Sequence, residues 1–367
     1  MFREGLSMTR HGSFKKVVRR HAQETGQRYT EALTDLEGLE ERLFHEPVAD
    51  RLIAHLRDHH GIDAVAATKI SQHNDHVFRV DRGDGDPWVA RVFPPARPRV
   101  GAEGDAAVLR FLERQHFPSE RLAVDDAVSK FDGSSVLVTR FIPGPLLPSP
   151  AVGTEGVEKF AIMGDLLGRL HALPFDESVS RPGGADGGDP RREGSPGQDV
   201  LAALSFLDAV DTKVAAAGRE RFEQLRDQVG STDDGHGLPE ALLHGNLLHA
   251  PDHVIVSEQG PVAIQWKASG QGPRLADLAY LLWGTFLDEA WIGAAVDAYR
   301  RHVTLTDDEL DRLEAMMYLR PLYLLCFDYR RSVATGHQPD GSEGWWMGVD
   351  AGYISAAADA ARTAFRR

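Results

Sequence analysis

Hydrophobic residues recur along this chain with two different periods. In HVFRV (76–80) and WVARVF (88–93) they alternate with polar residues, as in strands, on either side of the polar turn DRGDGDP (81–87). A third strand is predicted in VLVTRFIPG (136–144), which ends in a Pro-Gly break, whereas GDAAVLRFLERQ (104–115) has the spacing of a helix. The pattern therefore predicts a small antiparallel sheet that carries one helix.

Helical spacing dominates the chain on both sides of this sheet. Helices are predicted at 47–60, 155–173 and about 199–229, and from 288 to the end. Residues 180–199 are rich in Gly, Pro and charge and lack an apolar period, which predicts a mobile loop. We therefore expect an α+β fold, with a sheet-containing lobe at 47–143 and a mainly helical lobe at 144–367.

The first 46 residues are expected to form a separate element. Helical spacing at 14–24 and 29–44 predicts an arm followed by a helical hairpin over 1–46. The first helix is basic and the second is acidic. The hairpin is interpreted either as a solvated element that packs on the main body or as an appendage that binds a partner, including nucleic acid through the basic helix 14–21.

The charge balance narrows the classes of function. The chain has 41 Lys+Arg and 55 Asp+Glu among 367 residues, a formal charge of −14, so its main body is not expected to bind nucleic acid or a membrane surface. No run of about 18 apolar residues predicts a membrane span. The single cysteine, Cys326, excludes an internal disulfide and, with no secretory signal at the start, favours a cytoplasmic location.

Polar residues cluster at the ends of two short predicted strands within residues 241–283. The strands HVIV and VAIQW are joined by the turn SEQG, His244-Gly245 precedes them, and a Gly-rich loop leads to a helix that begins near Leu275. In a phosphotransferase, a hairpin of this kind presents the catalytic carboxylate and a metal-binding carboxylate to one phosphate. This segment is therefore the best candidate for the chemistry of the chain.

These motifs resemble the aminoglycoside phosphotransferase and choline kinase family over about residues 60–330. The resemblance is carried by His244-Gly245-Asn246, Ile264-Gln265-Trp266, Gly272-Pro273-Arg274, Asp277-Leu278-Ala279-Tyr280, LLGRLHALP (166–174), VLVTRFIPG and WVARVF. It implies a bilobal, protein-kinase-like fold and ATP-dependent transfer of a phosphoryl group.

The resemblance also assigns the catalytic positions. Asn246 occupies the place of the family's catalytic aspartate, and Gln265 occupies the place of its metal-binding aspartate. His244 is kept, as is Asp277, which is expected to hold the loop that contains His244.

On the cofactor side, the resemblance implies that Arg91 replaces the lysine that holds phosphate. Asp105, or less favourably Glu103, stands for the helix glutamate that pairs with that lysine. Thr139 and Phe141 lie in the hinge segment and are expected beside the cofactor. The family places a Gly/Ser-rich turn between its first two strands, but KISQHNDHVF (69–78) contains no glycine. The missing glycine counts against close approach of a nucleotide, so ATP is only a candidate cofactor, and Mg²⁺ is not expected.

Both replaced aspartates have lost their charge. An amide cannot act as a general base, a loss that costs roughly 10²- to 10⁴-fold in rate, and Mg²⁺ prefers carboxylates. We expect a catalytically degenerate homologue, a pseudokinase, that binds a small molecule, a peptide or a protein partner in the former cleft, as an accessory factor in a biosynthetic or resistance system. Two alternatives remain. The register may be shifted so that Asp252 serves as the base, or the chain is an atypical active enzyme that phosphorylates a hydroxyl of a small molecule such as an aminoglycoside-like antibiotic.

Overall fold

The structure, a computed structural model, describes residues 48–70, 76–95, 97, 99–147, 154–174, 196–247, 253–339 and 350–367. The predicted hairpin at 1–46, most of the predicted loop at 180–199, and Asp252 lie outside the described residues.

A five-stranded antiparallel sheet forms the first lobe, in the strand order β1-β2-β3-β5-β4. Its elements are α1 (Val48–His60), β1 (Ala64–Lys69), β2 (His76–Arg82), β3 (Trp88–Val92), α2 (Arg99–Arg114), β4 (Val128–Phe131) and β5 (Ser134–Arg140). The three strands predicted for this lobe are confirmed. The sequence did not predict β1, which is rich in alanine, or β4, which is only four residues long, because neither carries a clear alternating pattern.

The second lobe is mainly helical, as predicted. Its helices are α3 (Thr154–His171), α4 (Pro196–Asp208), α5 (Arg219–Gly230), α6 (Arg274–Trp283), α7 (Glu289–Tyr299), α8 (Asp307–Ala334) and α9 (Ala351–Phe365). Two strand pairs accompany them: β6 (Glu240–Leu243) with β9 (Gly270–Pro273), and β7 (Val254–Ser257) with β8 (Gly260–Ala263). None of the described helices is long and apolar enough to cross a membrane.

Two boundaries differ from the predicted ones. Helix α4 begins at Pro196, inside the predicted loop 180–199, because proline is well tolerated in the first turn of a helix. The strand predicted over VAIQW ends at Ala263. Gln265 has a φ of 68°, a left-handed conformation that a strand cannot contain, and the chain then forms a 3₁₀ turn at Trp266–Ala268.

Tight helix packing and two hydrophobic clusters hold the helical lobe together. A Cβ at Gly164 of α3 would lie 2.3 Å from the Ala295 carbonyl oxygen of α7, so the close approach of these helices requires glycine. The larger cluster runs from the sheet into α8, and the smaller one joins α4, α5 and the second half of α8. Cys326 is fully buried in the smaller cluster.

The β7–β8 hairpin connects the two lobes because residues between α2 and β4 of the first lobe pair with it on one side and residues of the second lobe pair with it on the other. On one side, Ala263 N donates to Pro118 O at 2.9 Å and Glu120 N donates to Ala263 O at 3.1 Å. On the other, Leu147 N donates to Val254 O at 2.8 Å. The residues that follow β8 are therefore held against the sheet of the first lobe.

Candidate functional site

The loop that begins at His244 is held by one carboxylate. Asp277, in the first turn of α6, accepts the backbone N–H of His244 at 2.7 Å and that of Gly245 at 3.0 Å. Burial alone would raise the pKa of Asp277, but His171, whose Nε2 lies 3.8 Å away, and the other donors hold this pKa below its usual range. The predicted role of Asp277 in holding the loop agrees with this geometry.

Gly245 is required by the path of this loop. Its φ is +77°, and a Cβ would lie 2.3 Å from the Ala268 carbonyl oxygen. The loop and the 3₁₀ turn Trp266–Ala268 are thus in direct backbone contact, which brings the two segments that carry Asn246 and Gln265 together.

His244 is fully buried and links the loop to the end of the hairpin. Its Nε2 lies 3.0 Å from the Ile264 carbonyl oxygen, and its ring packs 4.6 Å from that of Trp266. Burial lowers the pKa of His244, so its neutral form is favoured and Nε2 is the natural donor to that carbonyl. The histidine is a structural link in this loop.

Asn246 stands where the resemblance places the catalytic group. Its backbone oxygen accepts from His253 Nδ1 at 2.6 Å. Its side-chain Oδ1 is buried and has no hydrogen-bond partner among the described residues. A buried acceptor without a partner is costly, so this position favours a ligand that supplies a donor.

Glu120, which the sequence analysis did not single out, lies among Gln265, Thr139 and Arg91. Glu120 Oε1 accepts the backbone N–H of Gln265 at 2.8 Å, and Oε2 accepts from Thr139 Oγ1 at 3.3 Å. Arg91 Nη1 lies 3.9 Å from Glu120 Oε1. Glu120 is 4% exposed, so this carboxylate is a buried hub between β3, β5 and the end of β8.

The ion pair that the structure shows for Asp105, which the resemblance pairs with Arg91, is with Arg97. Asp105 accepts two hydrogen bonds from Arg97, at 2.6 and 2.9 Å, and the alternative acid Glu103 pairs with Arg99. Helix α2 begins at Arg99 rather than at 104, which places Asp105 in its second turn, within reach of Arg97.

Phe141 lies apart from this hub. Its ring is covered by the Arg79 guanidinium at 4.6 Å, and its N–H donates to Pro87 O at 3.0 Å. Its predicted place beside a cofactor remains a prediction.

Lys267 is a second site residue that sequence analysis missed. It lies two positions after Gln265, on the 3₁₀ turn that contacts Gly245. Burial lowers the pKa of Lys267 to about 7. A lysine at this point adds a cationic or titrating amine close to the positions from which two carboxylates are missing.

Comparisons with known proteins agree with this geometry. The model of the phosphotransferase enzyme family matches residues 66–315, more than half of the chain, and the chain therefore belongs to that family. No curated protein sequence matches the chain.

Several solved structures share the fold. The apoenzyme of a macrolide 2'-phosphotransferase from Brachybacterium faecium is 22% identical, with a TM-score of 0.50, and the match covers 85% of this chain and 97% of that one. A spectinomycin phosphotransferase in complex with ADP and spectinomycin is 14% identical, with a TM-score of 0.56 and coverage of 86% and 98%. A choline kinase from Streptococcus pneumoniae is 13% identical, with a TM-score of 0.56 and coverage of 84% and 98%. The protein-kinase-like fold is thus confirmed, and the substrate is left open.

Proposed function

We propose that this chain is a phosphotransferase-family protein that binds a ligand in its cleft without catalysing metal-dependent phosphoryl transfer. The observation that carries the proposal is the pair of amides, Asn246 and Gln265, on a loop scaffold that is otherwise intact. The contact of Gly245 N with Asp277 supports the register in which Asn246 is the residue at the catalytic place.

The first missing function is the general base. An amide oxygen has no pKa that lets it accept a proton from an attacking hydroxyl, and this help is worth roughly 10²- to 10⁴-fold in rate. Asn246 Oδ1 is nevertheless buried without a partner among the described residues, so it suits a ligand hydroxyl or amine that donates a hydrogen bond.

The second missing function is the metal site, and the residues present do not fit Mg²⁺. This ion is held in proteins by one or two carboxylates together with substrate phosphates. In the described cleft, Asp277 binds two backbone N–H groups, and both oxygens of Glu120 already accept hydrogen bonds. The described residues include no group of three or more His, Cys, Asp or Glu side chains that could hold a metal.

The cations of the cleft indicate what it binds instead. Arg91 on β3 and Lys267 after β8 remain, although the carboxylates that a divalent cation would neutralise have become amides. Without those carboxylates, an anionic group meets less repulsion and needs no bridging metal. We therefore propose a ligand that carries an anionic group together with a hydrogen-bond donor for Asn246.

The experiment restores the two carboxylates in the double variant Asn246→Asp, Gln265→Asp. Binding of ATP is measured by thermal unfolding with and without Mg²⁺, and release of ADP is measured with Mg²⁺. We expect the wild-type protein to show no Mg²⁺-dependent turnover, and the double variant to gain Mg²⁺-dependent stabilisation by ATP. A ligand at 100 times its dissociation constant stabilises the native state by about 2.7 kcal/mol.

Gln224→Asp, on the surface of α5, serves as the control for an added carboxylate outside the cleft. Mg²⁺-dependent turnover by the wild-type chain would overturn the proposal and favour the alternative, an atypical active phosphotransferase that acts on a hydroxyl of a small molecule.

A further inference from the structure

We propose that Glu120 is a positioning residue of this cleft, which orients Arg91 in place of the acid on helix α2. The resemblance assigns that task to Asp105, but Asp105 binds Arg97. The proposal rests on the proposed function in one respect, because it assumes that Arg91 faces the ligand. The contacts that carry it are independent of what the ligand is.

The first argument is the pairing of buried charges. Arg91 is 5% exposed and Glu120 is 4% exposed. A buried guanidinium without a counter-charge is strongly destabilising. The ion pair recorded for Arg91 among the described residues is with Glu120, at 3.9 Å between Nη1 and Oε1. Glu120 therefore balances the charge of Arg91.

The second argument is the length of that contact. At 3.9 Å the two groups attract each other but do not form a hydrogen bond, which needs a distance near 2.9 Å. The Nε of Arg91 is buried without a hydrogen-bond partner among the described residues. Glu120 thus fixes the position of Arg91 and leaves donor capacity for an anionic ligand.

The third argument is how firmly Glu120 itself is held. Arg121 donates to Ser119 Oγ and to the Phe117 carbonyl oxygen, both at 2.6 Å, which shapes the short segment around Glu120. The backbone of Glu120 donates to Ala263 O at 3.1 Å, next to the end of β8. Its carboxylate is therefore fixed to the hairpin that joins the lobes, and not to a helix.

This difference has a functional consequence. In protein kinases, movement of a helix makes or breaks the ion pair with the strand lysine, and this movement controls activity. In this chain the acid lies in the segment between α2 and β4 and also accepts the N–H of Gln265, next to the hairpin that connects the lobes. The ion pair of Arg91 therefore uses an acid that lies outside helix α2.

The experiment measures how fast phenylglyoxal modifies each arginine of the full chain, by peptide mass spectrometry. The variants are Glu120→Gln and its matched control Asp105→Asn. Glu120→Gln removes a buried carboxylate that accepts hydrogen bonds, so we expect phenylglyoxal to modify Arg91 about tenfold faster. The rate of modification of Arg97 should stay unchanged. We expect Asp105→Asn to speed the modification of Arg97 and to leave the rate at Arg91 unchanged. Faster modification of Arg91 in Asp105→Asn, with no change in Glu120→Gln, would overturn the proposal.

A second measurement covers the case in which Glu120→Gln does not fold. Thr139→Val removes the hydroxyl that donates to Oε2 and leaves the carboxylate in place. We expect roughly two- to tenfold faster modification of Arg91 and hydrogen exchange of the Gln265 amide, because a neutral hydrogen bond is lost. Thr285→Val, which removes a buried hydroxyl far along the chain, should change neither rate. Unchanged rates in Thr139→Val would count against Glu120.

Neither measurement uses a ligand or turnover. These measurements can therefore contradict the role of Glu120 while the proposed function holds. Equally, turnover by the wild-type chain can contradict the proposed function while Glu120 still positions Arg91.

Discussion

The two sides of the cleft have diverged in different ways. On the helical side, His244, Gly245 and Asp277 keep both the family's residues and the contacts that hold the loop. On the sheet side, Arg91 and Gln265 occupy the expected positions, but a residue from another segment, Glu120, connects them. The comparison indicates that groups which hold the backbone are constrained by stability, whereas groups which perform chemistry can be exchanged without loss of the fold.

The physical reason lies in what each side chain satisfies. Asp277 is buried and accepts the backbone N–H groups of His244 and Gly245. Its loss would leave those donors unsatisfied, which costs free energy for each one. Asn246 Oδ1 accepts no hydrogen bond from the described residues, and Gln265 contacts Glu120 through its backbone N–H. A change from aspartate to amide at either position therefore leaves the contacts that hold the loop in place.

The largest expected effect comes from removing the carboxylate that holds the loop. Asp277→Ala should lower the free energy of unfolding by about 3–5 kcal/mol, because a buried, hydrogen-bonded charge is removed from its partners. Urea denaturation followed by circular dichroism measures the loss. Asp288→Ala, which removes the N-cap of α7, is the control and should cost only about 1 kcal/mol. Equal losses in the two variants would show that Asp277 stabilises the fold no more than an ordinary helix cap does.

A smaller effect of opposite sign is expected at Lys267. Burial lowers the pKa of this amine from 10.5 to about 7, so between pH 7 and 10.5 the unfolded chain binds more protons than the folded one. Stability should therefore rise with pH through this window and fall as the pH decreases to 7. Lys267→Met removes the cost of burying a charge, so we expect it to stabilise the protein by about 1–2 kcal/mol at pH 7 and to abolish this rise.

The control for Lys267→Met is Lys130→Met, at an exposed position of β4. It should change the unfolding free energy by less than about 0.5 kcal/mol and leave the pH dependence as in the wild type. A stabilising effect confined to Lys267 would show that this lysine is retained at the expense of stability, as is common at functional sites. A pH dependence that persists in Lys267→Met would show that another group causes it.

Sequence reasoning predicted the parts of the site that depend on local motifs. His244, Asn246, Gln265 and Asp277 lie within one segment whose spacing is recognisable, and the structure brings the loop and the end of the hairpin together. Lys267 lies in the same segment. Its position two residues after Gln265 could have identified it as a candidate site residue.

Glu120 had no such signal. Its contacts depend on the register of residues 117–121 against β8, and that register is set by the packing of the two lobes. The contact of Asp105 with Arg97 was not predicted for a similar reason, since the start of α2 decides whether Arg97 can reach it. The fold class, three strands of the first lobe and most helices were predictable because the spacing of hydrophobic residues along the chain is a local property.

The smallest effect tests whether the side chain of Gln265 matters to the fold at all. Gln265 has a φ of 68°, and the left-handed region costs an ordinary residue roughly 1–2 kcal/mol, whereas asparagine enters it more readily. Gln265→Asn should therefore raise the unfolding free energy by a few tenths of a kcal/mol, since the N–H that donates to Glu120 is unchanged. His116→Asn, at an exposed residue with a φ of 54°, is the control and should gain a similar amount.

A loss of more than about 1 kcal/mol at Gln265 alone would mean that its side chain holds buried partners. The sheet side of the cleft would then be constrained by stability, as the helical side is, and the amide would be a structural residue and not the remnant of a lost reaction.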